Sequence, residues 1–257
     1  MNRIETAFST AKSESRAAFI AYLPAGFPTL QGFTEAATTI LEYADALEIG
    51  LPYSDPLGDG PTIQKAGERA LENGMTVLGT FAAARELRQQ SDKALFIMTY
   101  YNPILATGEA EFVAGAVAAG IDGLILPDLP PDEAETLIPI AAAAGLKLTF
   151  LLAPTSTQDR IDLVTASSTG FVYAVSVTGV TGARVGIPEE VPQMVANIKA
   201  STDKPVAVGF GVSNFETAQA VARVADGVVV GSALVVAAER GTGLRELCQE
   251  ILSGCAK

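Results

Sequence analysis

Residues 121–152 read IDGLILPDLPPDEAETLIPIAAAAGLKLTFLL. An apolar run, Ile121–Leu126, is followed by a helical stretch rich in Ala, Glu and Leu, Asp132–Ala144, and then by a second apolar run, Leu146–Leu152. Near-continuous apolar strands are expected where both faces of a sheet are covered, and a strand–helix–strand repeat of this kind builds a parallel sheet with outer helices. The same alternation extends in both directions. Strand-like runs recur at Ala18–Leu23, Ala44–Ile49, Ala94–Tyr100, Phe171–Val177, Pro205–Phe210 and Ala225–Val230, with helical stretches at Gly32–Tyr43, Glu109–Ala119, Asp159–Ala166 and Phe215–Arg223 between them. Eight βα units predict a closed (β/α)8 barrel of the TIM type. Such a barrel takes roughly 250 residues, which assigns residues 1–257 to a single barrel domain. Arg3–Lys12 is then an extra N-terminal helix closing the bottom, and long loops follow strands 2 and 6, at Leu51–Thr62 and Val177–Pro188.

Composition narrows the function classes. With 49% hydrophobic and 18% charged residues the chain can bury a large core. A formal charge of −12, from 17 basic and 29 acidic residues, argues against nucleic acid and anionic membrane surfaces, both of which require a positive patch. The early charges Arg3, Glu5 and Lys12 leave no signal peptide in view, and the apolar runs are too short to span a bilayer, so a cytoplasmic location is expected. Cys248 and Cys255 sit together near the C-terminus, where they neither staple a core nor make a zinc site.

The chain contains no histidine. General acid–base chemistry must therefore fall to Asp, Glu, Tyr or Lys, and no Ser-His or Cys-His nucleophile can be built. Leu47–Gln64, LEIGLPYSDPLGDGPTIQ, places Glu48 at the end of the second strand and Asp55 and Asp59 on the following loop. Burial raises a carboxyl pKa and solvent leaves it low, so carboxylates in unlike settings can divide acid and base roles. Barrel active sites lie at the C-terminal strand ends, where Glu48 stands. An unpaired acid there costs several kcal/mol unless it is protonated, paired or functional, so Glu48 reads as a proton carrier or as half of a structural ion pair. Asp59, in Gly-Asp-Gly, and Asp55, in Ser-Asp-Pro, read equally as turn formers.

Glycine turns follow the sixth, seventh and eighth strands: TGVTG at Thr178–Gly182, GFGVS at Gly209–Ser213 and GSA at Gly231–Ala233. In such barrels phosphate is commonly held by the last loops and the N-terminus of a short extra helix, for which Ser232–Ala238 is placed. Each glycine alone is also an ordinary turn residue. Tyr22, Tyr100 and Tyr173 stand at or near the ends of the first, third and sixth strands, and Phe210 in the seventh. Aromatics there fill a barrel, and four at one mouth also suit a flat aromatic substrate. Val177–Pro188, with Thr181 and Arg184, has the composition of a lid or of a long connection.

Taken together, LEIGLPYSDPLGDGPTIQ, SVTGVTGA, GFGVS and GSALV, in this order and spacing, resemble the α subunit of tryptophan synthase over nearly the whole chain. The resemblance implies retro-aldol cleavage of indole-3-glycerol phosphate to indole and glyceraldehyde 3-phosphate, with no metal or cofactor in this chain. It also implies a partner β subunit carrying pyridoxal phosphate, in an α2β2 heterotetramer. Glu48 matches the family's general acid–base, Asp59 the carboxylate that accepts the indole N–H, and Asp55 a loop residue directed at the partner. Tyr173 matches a tyrosine beside the glycerol hydroxyls, and Thr181 a lid residue that meets Asp59. Gly182, Gly211, Gly231 and Ser232 match the phosphate cradle, while Tyr22, Tyr100 and Phe210 line the substrate pocket. Tyr22 stands where the family often carries Phe, which adds a hydroxyl to that pocket. A sugar-phosphate isomerase on the same barrel, a stand-alone indole-releasing lyase and a non-catalytic activator are the competing readings, because fold alone does not separate them. An isomerase would commonly carry a Cys, His or metal cluster, and a pure activator would have lost Glu48 or Asp59.

Overall fold

The computed structural model describes residues 2–175, 190–209 and 211–257. Its strands are β1 (Ala18–Pro24), β2 (Ala46–Gly50), β3 (Ala94–Met98), β4 (Gly123–Ile125), β5 (Lys147–Thr149), β6 (Leu151–Leu152), β7 (Val172–Val175), β8 (Val206–Gly209) and β9 (Gly227–Val230). They form one sheet in the order β5-β4-β3-β2-β1-β9-β8-β7-β6, and every pairing between them is parallel. The two ends of that order, β5 and β6, are separated in sequence by Phe150 alone. Lys147–Leu152 is thus one strand whose first half pairs with β4 (Ile125↔Thr149) and whose second half pairs with β7 (Leu151↔Tyr173). The eight expected strands close as a (β/α)8 barrel.

The helices are α1 (Arg3–Ser13), α2 (Leu30–Leu41), α3 (Pro61–Glu72), α4 (Val77–Gln90), α5 (Tyr101–Thr107), α6 (Glu109–Ala118), α7 (Leu137–Ala143), α8 (Gln158–Ser167), α9 (Glu190–Ser201), α10 (Phe215–Ala222), α11 (Ser232–Arg240) and α12 (Leu244–Gly254). The stretch expected to be helical from Asp132 is instead a short 3-10 turn, Pro131–Glu133, and α7 starts only at Leu137. Pro139 is the reason. In a helix begun at Asp132 it would lie mid-helix, lacking an N–H and pressing its ring on the Glu135 carbonyl, whereas a start at Leu137 puts it in the tolerant first turn.

Alternation along the strands sorts the apolar residues into two cores. One lies between sheet and outer helices and contains Phe19, Leu47, Ile97 and Val228; the other fills the barrel with Ala18, Ile20, Ala46, Ala94, Phe96, Ile125, Phe171, Tyr173, Ala207 and Val229. Most of the lower inward positions, Ala18, Ala46, Ala94 and Gly227 among them, are small because α1 occupies the space. Its Ile4, Ala7, Phe8 and Ala11, spaced three and four apart on one face, join the inner core, with Phe8 and Phe171 ring centroids 5.6 Å apart and Phe171 edge-on to Phe96 at 5.4 Å. A side chain at Gly227 would come within 3.1 Å of Phe8. A capping box fixes the entry of α1, Asn2 accepting from the Glu5 N–H and Glu5 from the Asn2 N–H.

The N-terminal end of the barrel is tied by a repeated polar device. Asp45, ahead of β2, accepts the Phe19 N–H of β1 at 2.8 Å; Asp122, ahead of β4, accepts the Leu95 N–H of β3 at 2.9 Å; Asp226, ahead of β9, accepts the Val206 N–H of β8 at 3.0 Å. Ahead of β7 the role passes to Thr169, which accepts the Leu148 N–H of β5 at 2.8 Å. Each aspartate also has a basic partner: Arg16 for Asp45, Arg88 and Arg3 for Asp122, Lys199 and Lys257 for Asp226. Both cysteines are free and buried, and burial pushes their thiols up to about 12, which keeps them inert at neutral pH.

Asp45 is 3% exposed and holds Arg16 through two oxygens, at 2.5 and 2.9 Å. Replacing it by alanine takes the two-oxygen partner from a half-buried guanidinium, which keeps only Glu14 and the Ala17 carbonyl, and leaves the buried Phe19 N–H unpartnered. Asp45→Ala is expected to lower unfolding stability by about 1–3 kcal/mol in denaturant titration, the scale of a buried donor left unsatisfied.

Candidate active site

Ala46, Glu48 and Gly50 of β2 point into the barrel, so the strand's own alternation drives a carboxyl group inward at the upper end. Glu48 is 0% exposed, and among the described residues neither of its oxygens has a hydrogen-bond partner. Desolvation pushes its pKa well above the usual carboxyl range and so favours its protonated form. Its neighbours in register are Tyr22 on β1 and Phe96 on β3.

The segment from Leu51 to Gly60 is pinned over the mouth by groups from three elements. The Leu51 N–H donates to the Met98 carbonyl at 2.9 Å, the Gly58 N–H donates to the Tyr100 hydroxyl at 2.9 Å, and the Gln64 amide of α3 reaches back to the Asp59 carbonyl at 2.9 Å. The Tyr53 ring lies on the Tyr100 ring, centroids 5.5 Å apart. These contacts hold Asp59 half-buried. Burial raises its pKa to about 6, against the opposing effect of a hydrogen bond from Tyr100. Asp55 is exposed on the same loop and accepts a hydrogen bond from Ser54. The three acids of the motif thus occupy three environments.

Tyr22 and Tyr173 complete the cluster. The Tyr22 hydroxyl lies so close over Gly50 that an added Cβ would sit 2.3 Å from it, and the Tyr173 hydroxyl lies likewise over Gly209 at 2.6 Å. Glycine on the neighbouring strand is what leaves room for each ring and its hydroxyl. Burial raises both phenols, and the charges of Asp59 and Glu48 raise them further. At the other side of the mouth Gly231 precedes α11 without a side-chain cap, its Cα beside the Tyr22 ring, and Ser232 opens the helix exposed to solvent. The N–H groups of that first turn are therefore free for an anion, whereas the start of α10 is closed by an Asn214–Thr217 capping box. Gly211 has φ +47° with open space around it.

Glu48, Asp59, Tyr22, Tyr100 and Tyr173 are thus gathered at one mouth, with Gly231 against Tyr22. Thr181, Gly182 and Phe210 lie outside the described residues. Sequence reasoning passed over Tyr53, Gln64 and Asp128. Asp128 follows β4 at the strand end, the same kind of position that singled out Glu48, and it accepts the Tyr101 N–H at 2.9 Å. Among the described residues no group of three or more Cys, Asp or Glu is placed to hold a metal ion, and no helix is long and apolar enough to cross a membrane.

A buried acid without a partner among the described residues, at the C-terminal mouth of a (β/α)8 barrel that also carries a second carboxylate and an uncapped helix N-terminus, has the form of a barrel enzyme working by carboxylate acid–base chemistry. The comparisons with known proteins give the family. The profile of the family described as "Tryptophan synthase alpha chain" matches residues 8–253, and the chain belongs to that family. It is 52% identical to the tryptophan synthase alpha chain of Deinococcus radiodurans, over 100% of this chain and 96% of that one. It is 45% identical to that of Mycobacterium ulcerans, over 98% and 94%. Among solved structures, tryptophan synthase of Mycobacterium tuberculosis superposes with a TM-score of 0.94 at 42% identity, over 100% of this chain and 99% of that one. A chain of the tryptophan synthase α2β2 complex of Pyrococcus furiosus gives 0.87 at 40%, over 93% and 98%.

The raised pKa of Asp59 sets the sign of a stability effect. A carboxyl group held above its unfolded value favours the fold when protonated. That contribution is complete below the unfolded pKa of about 4 and is lost as pH rises through about 6. Asp59→Asn, which cannot ionise, should therefore melt higher than the parent at pH 8 and match it near pH 3.5. Tyr100→Phe should move the Asp59 midpoint, read by carboxyl NMR, above 6.

Proposed function

We propose that this chain cleaves indole-3-glycerol phosphate to indole and glyceraldehyde 3-phosphate, with Glu48 as the proton carrier. The observation that carries the reading is the burial of Glu48 without a partner among the described residues, which favours its protonated, proton-donating form. Glu48 donates its proton to the ring carbon bearing the glycerol chain, and the indole becomes a cation. Asp59, ionised above pH 6, accepts a hydrogen bond from the indole N–H and stabilises that charge. The Glu48 carboxylate then takes the proton of the adjacent carbinol hydroxyl. The carbon–carbon bond breaks, its electron pair returns to the ring, and an aldehyde forms at the carbinol carbon. Glu48 ends protonated, as it began.

Tyr173 is positioned in this reading beside the glycerol hydroxyls, and Tyr22, Tyr100 and Phe210 around the indole. Phosphate is assigned to the amides of Gly182, Gly211, Gly231 and Ser232, with the uncapped start of α11 as the supporting feature. Thr181 is assigned to a lid that meets Asp59. Carboxylates supply both proton steps, so the reaction calls for no cofactor in this chain. We also assign the chain to the cytoplasm and to an α2β2 assembly with a pyridoxal-phosphate β subunit that consumes the indole. The loop bearing exposed Asp55 also carries Leu57, 93% exposed, an apolar tip suited to docking on a partner.

Indole release on incubation with indole-3-glycerol phosphate tests the reaction. Glu48→Gln should fold yet lose roughly 100- to 10,000-fold in turnover; a variant retaining more than about a tenth of the parent rate would remove Glu48 from its role. The partner reading has its own test. Added β subunit should raise the lyase rate by about tenfold or more, through the coupling energies usual between linked sites. Full speed alone, with no gain on addition, makes the chain a stand-alone lyase.

A further inference from the structure

We propose that Asp128 is a positioning residue for this reaction: by holding the backbone of Tyr101 it fixes Tyr100, and through Tyr100 the placement of Asp59. The inference rests on the assignment of Asp59 made above. Asp128 lies on the segment after β4, Tyr100 and Tyr101 start α5 after β3, and Asp59 lies on the loop after β2, so three successive strand ends are joined.

The geometry is explicit. Both Asp128 oxygens accept the Tyr101 N–H, at 2.9 and 3.2 Å. The residue at the N-cap of α5 is Tyr100, which has no oxygen that can reach back to its own helix, so the first turn is uncapped locally. Pro103 in that turn has no N–H to offer. The Tyr101 N–H is therefore one of the few grips on the start of the helix, and Asp128 takes it from another strand. The position is reinforced from below. The Tyr101 hydroxyl donates to Glu109 at 2.7 Å, and Thr136 donates to the same carboxylate oxygen at 2.9 Å. With its backbone held in this way, Tyr100 presents its hydroxyl to the Gly58 N–H and to Asp59 while its ring rests on Tyr53.

Asp59 faces titratable groups on three elements: Tyr100 at the start of α5, Tyr22 on β1 and Tyr173 on β7, the last two of which also face Glu48. The three phenols are all raised and stay neutral through neutral pH, burial favours the protonated form of Glu48, and Asp59 is the group of the cluster placed near 6. Loss of the acid-side activity limb therefore reads Asp59 directly. A carboxylate that merely anchors a helix would change stability and leave that limb in place.

The experiment measures kcat/KM for indole release against pH with the full chain. In the parent the acid limb should fall near pH 6. Asp128→Ala should shift it upward by about one pH unit, the scale of a hydrogen bond lost from a carboxylate, and in the direction of Tyr100→Phe. Asp128→Asn keeps an acceptor oxygen and should bring the limb back towards the parent. The double variant Asp128→Ala/Tyr100→Phe should match Tyr100→Phe alone, since both act through one hydroxyl. If Asp128→Ala does not fold, Asp128→Ser, too short to reach Tyr101, replaces it. A lowered melting temperature with an unmoved limb, or additive shifts in the double variant, overturns the proposal. Asp59→Asn separates the two readings: full activity with the limb intact removes the role of Asp59 and this proposal with it, whereas an inactive Asp59→Asn beside an unmoved Asp128→Ala limb removes only this proposal.

Discussion

Everything in this molecule depends on the strand Lys147–Leu152 bonding on both sides. Its first half completes the ladder with β4 and its second half begins the ladder with β7, so a sheet that would otherwise have two open edges has none. Closure makes the interior narrow. Inward positions low in the barrel are then mostly alanine or glycine where α1 enters, with Phe171 packed against Phe8, and inward positions high in the barrel project into a space bounded by other side chains. A glutamate on the upper part of β2 has nowhere to go but into that space. The desolvation of Glu48 follows from closure itself.

Carboxylates at the two ends of the barrel are treated in opposite ways. At the N-terminal end Asp45, Asp122 and Asp226 each accept a strand N–H and face a basic side chain, so their charge is satisfied and they act as ties. At the C-terminal end, among the described residues, Glu48 has no partner and Asp59 has phenols rather than cations around it. Unpaired acids destabilise a fold, and they persist where the surrounding structure is strong enough to hold them. The contrast separates stability from chemistry along the barrel axis.

Phenols do at the mouth what histidine does in many acid–base sites. They donate hydrogen bonds without carrying charge at neutral pH, so a carboxylate can be oriented without being locked in its ionised form by a nearby cation. Tyr100 shows the balance: its hydroxyl lowers the Asp59 pKa while burial raises it, and the outcome, about 6, leaves Asp59 ionised yet close to its titration point. Tyr22 and Tyr173 reach their places because Gly50 and Gly209 on the adjacent strands carry no side chain. A bulkier residue at either glycine would displace the ring.

Some of this is determined by sequence alone. Apolar runs at βα spacing specify the barrel, since each such strand needs both faces covered; the absence of histidine confines proton transfer to other groups; and the position of Glu48 at the end of an apolar strand marks it as an acid in a dry place. Local chemistry also marks the small-residue turns before α10 and α11. Other features required the tertiary structure. The late start of α7 is set by Pro139, a single-residue effect that a compositional reading of Asp132–Ala144 passes over. The half-burial of Asp59 and the exposure of Asp55, four residues apart in one loop, are decided by Gln64, Tyr53 and Tyr100 gripping only one of them. The link from Asp128 to Tyr101 joins the ends of different strands. Periodicity and composition describe what a segment prefers by itself, whereas the ionisation of a carboxyl group depends on which distant side chains and how much water closure of the barrel leaves around it.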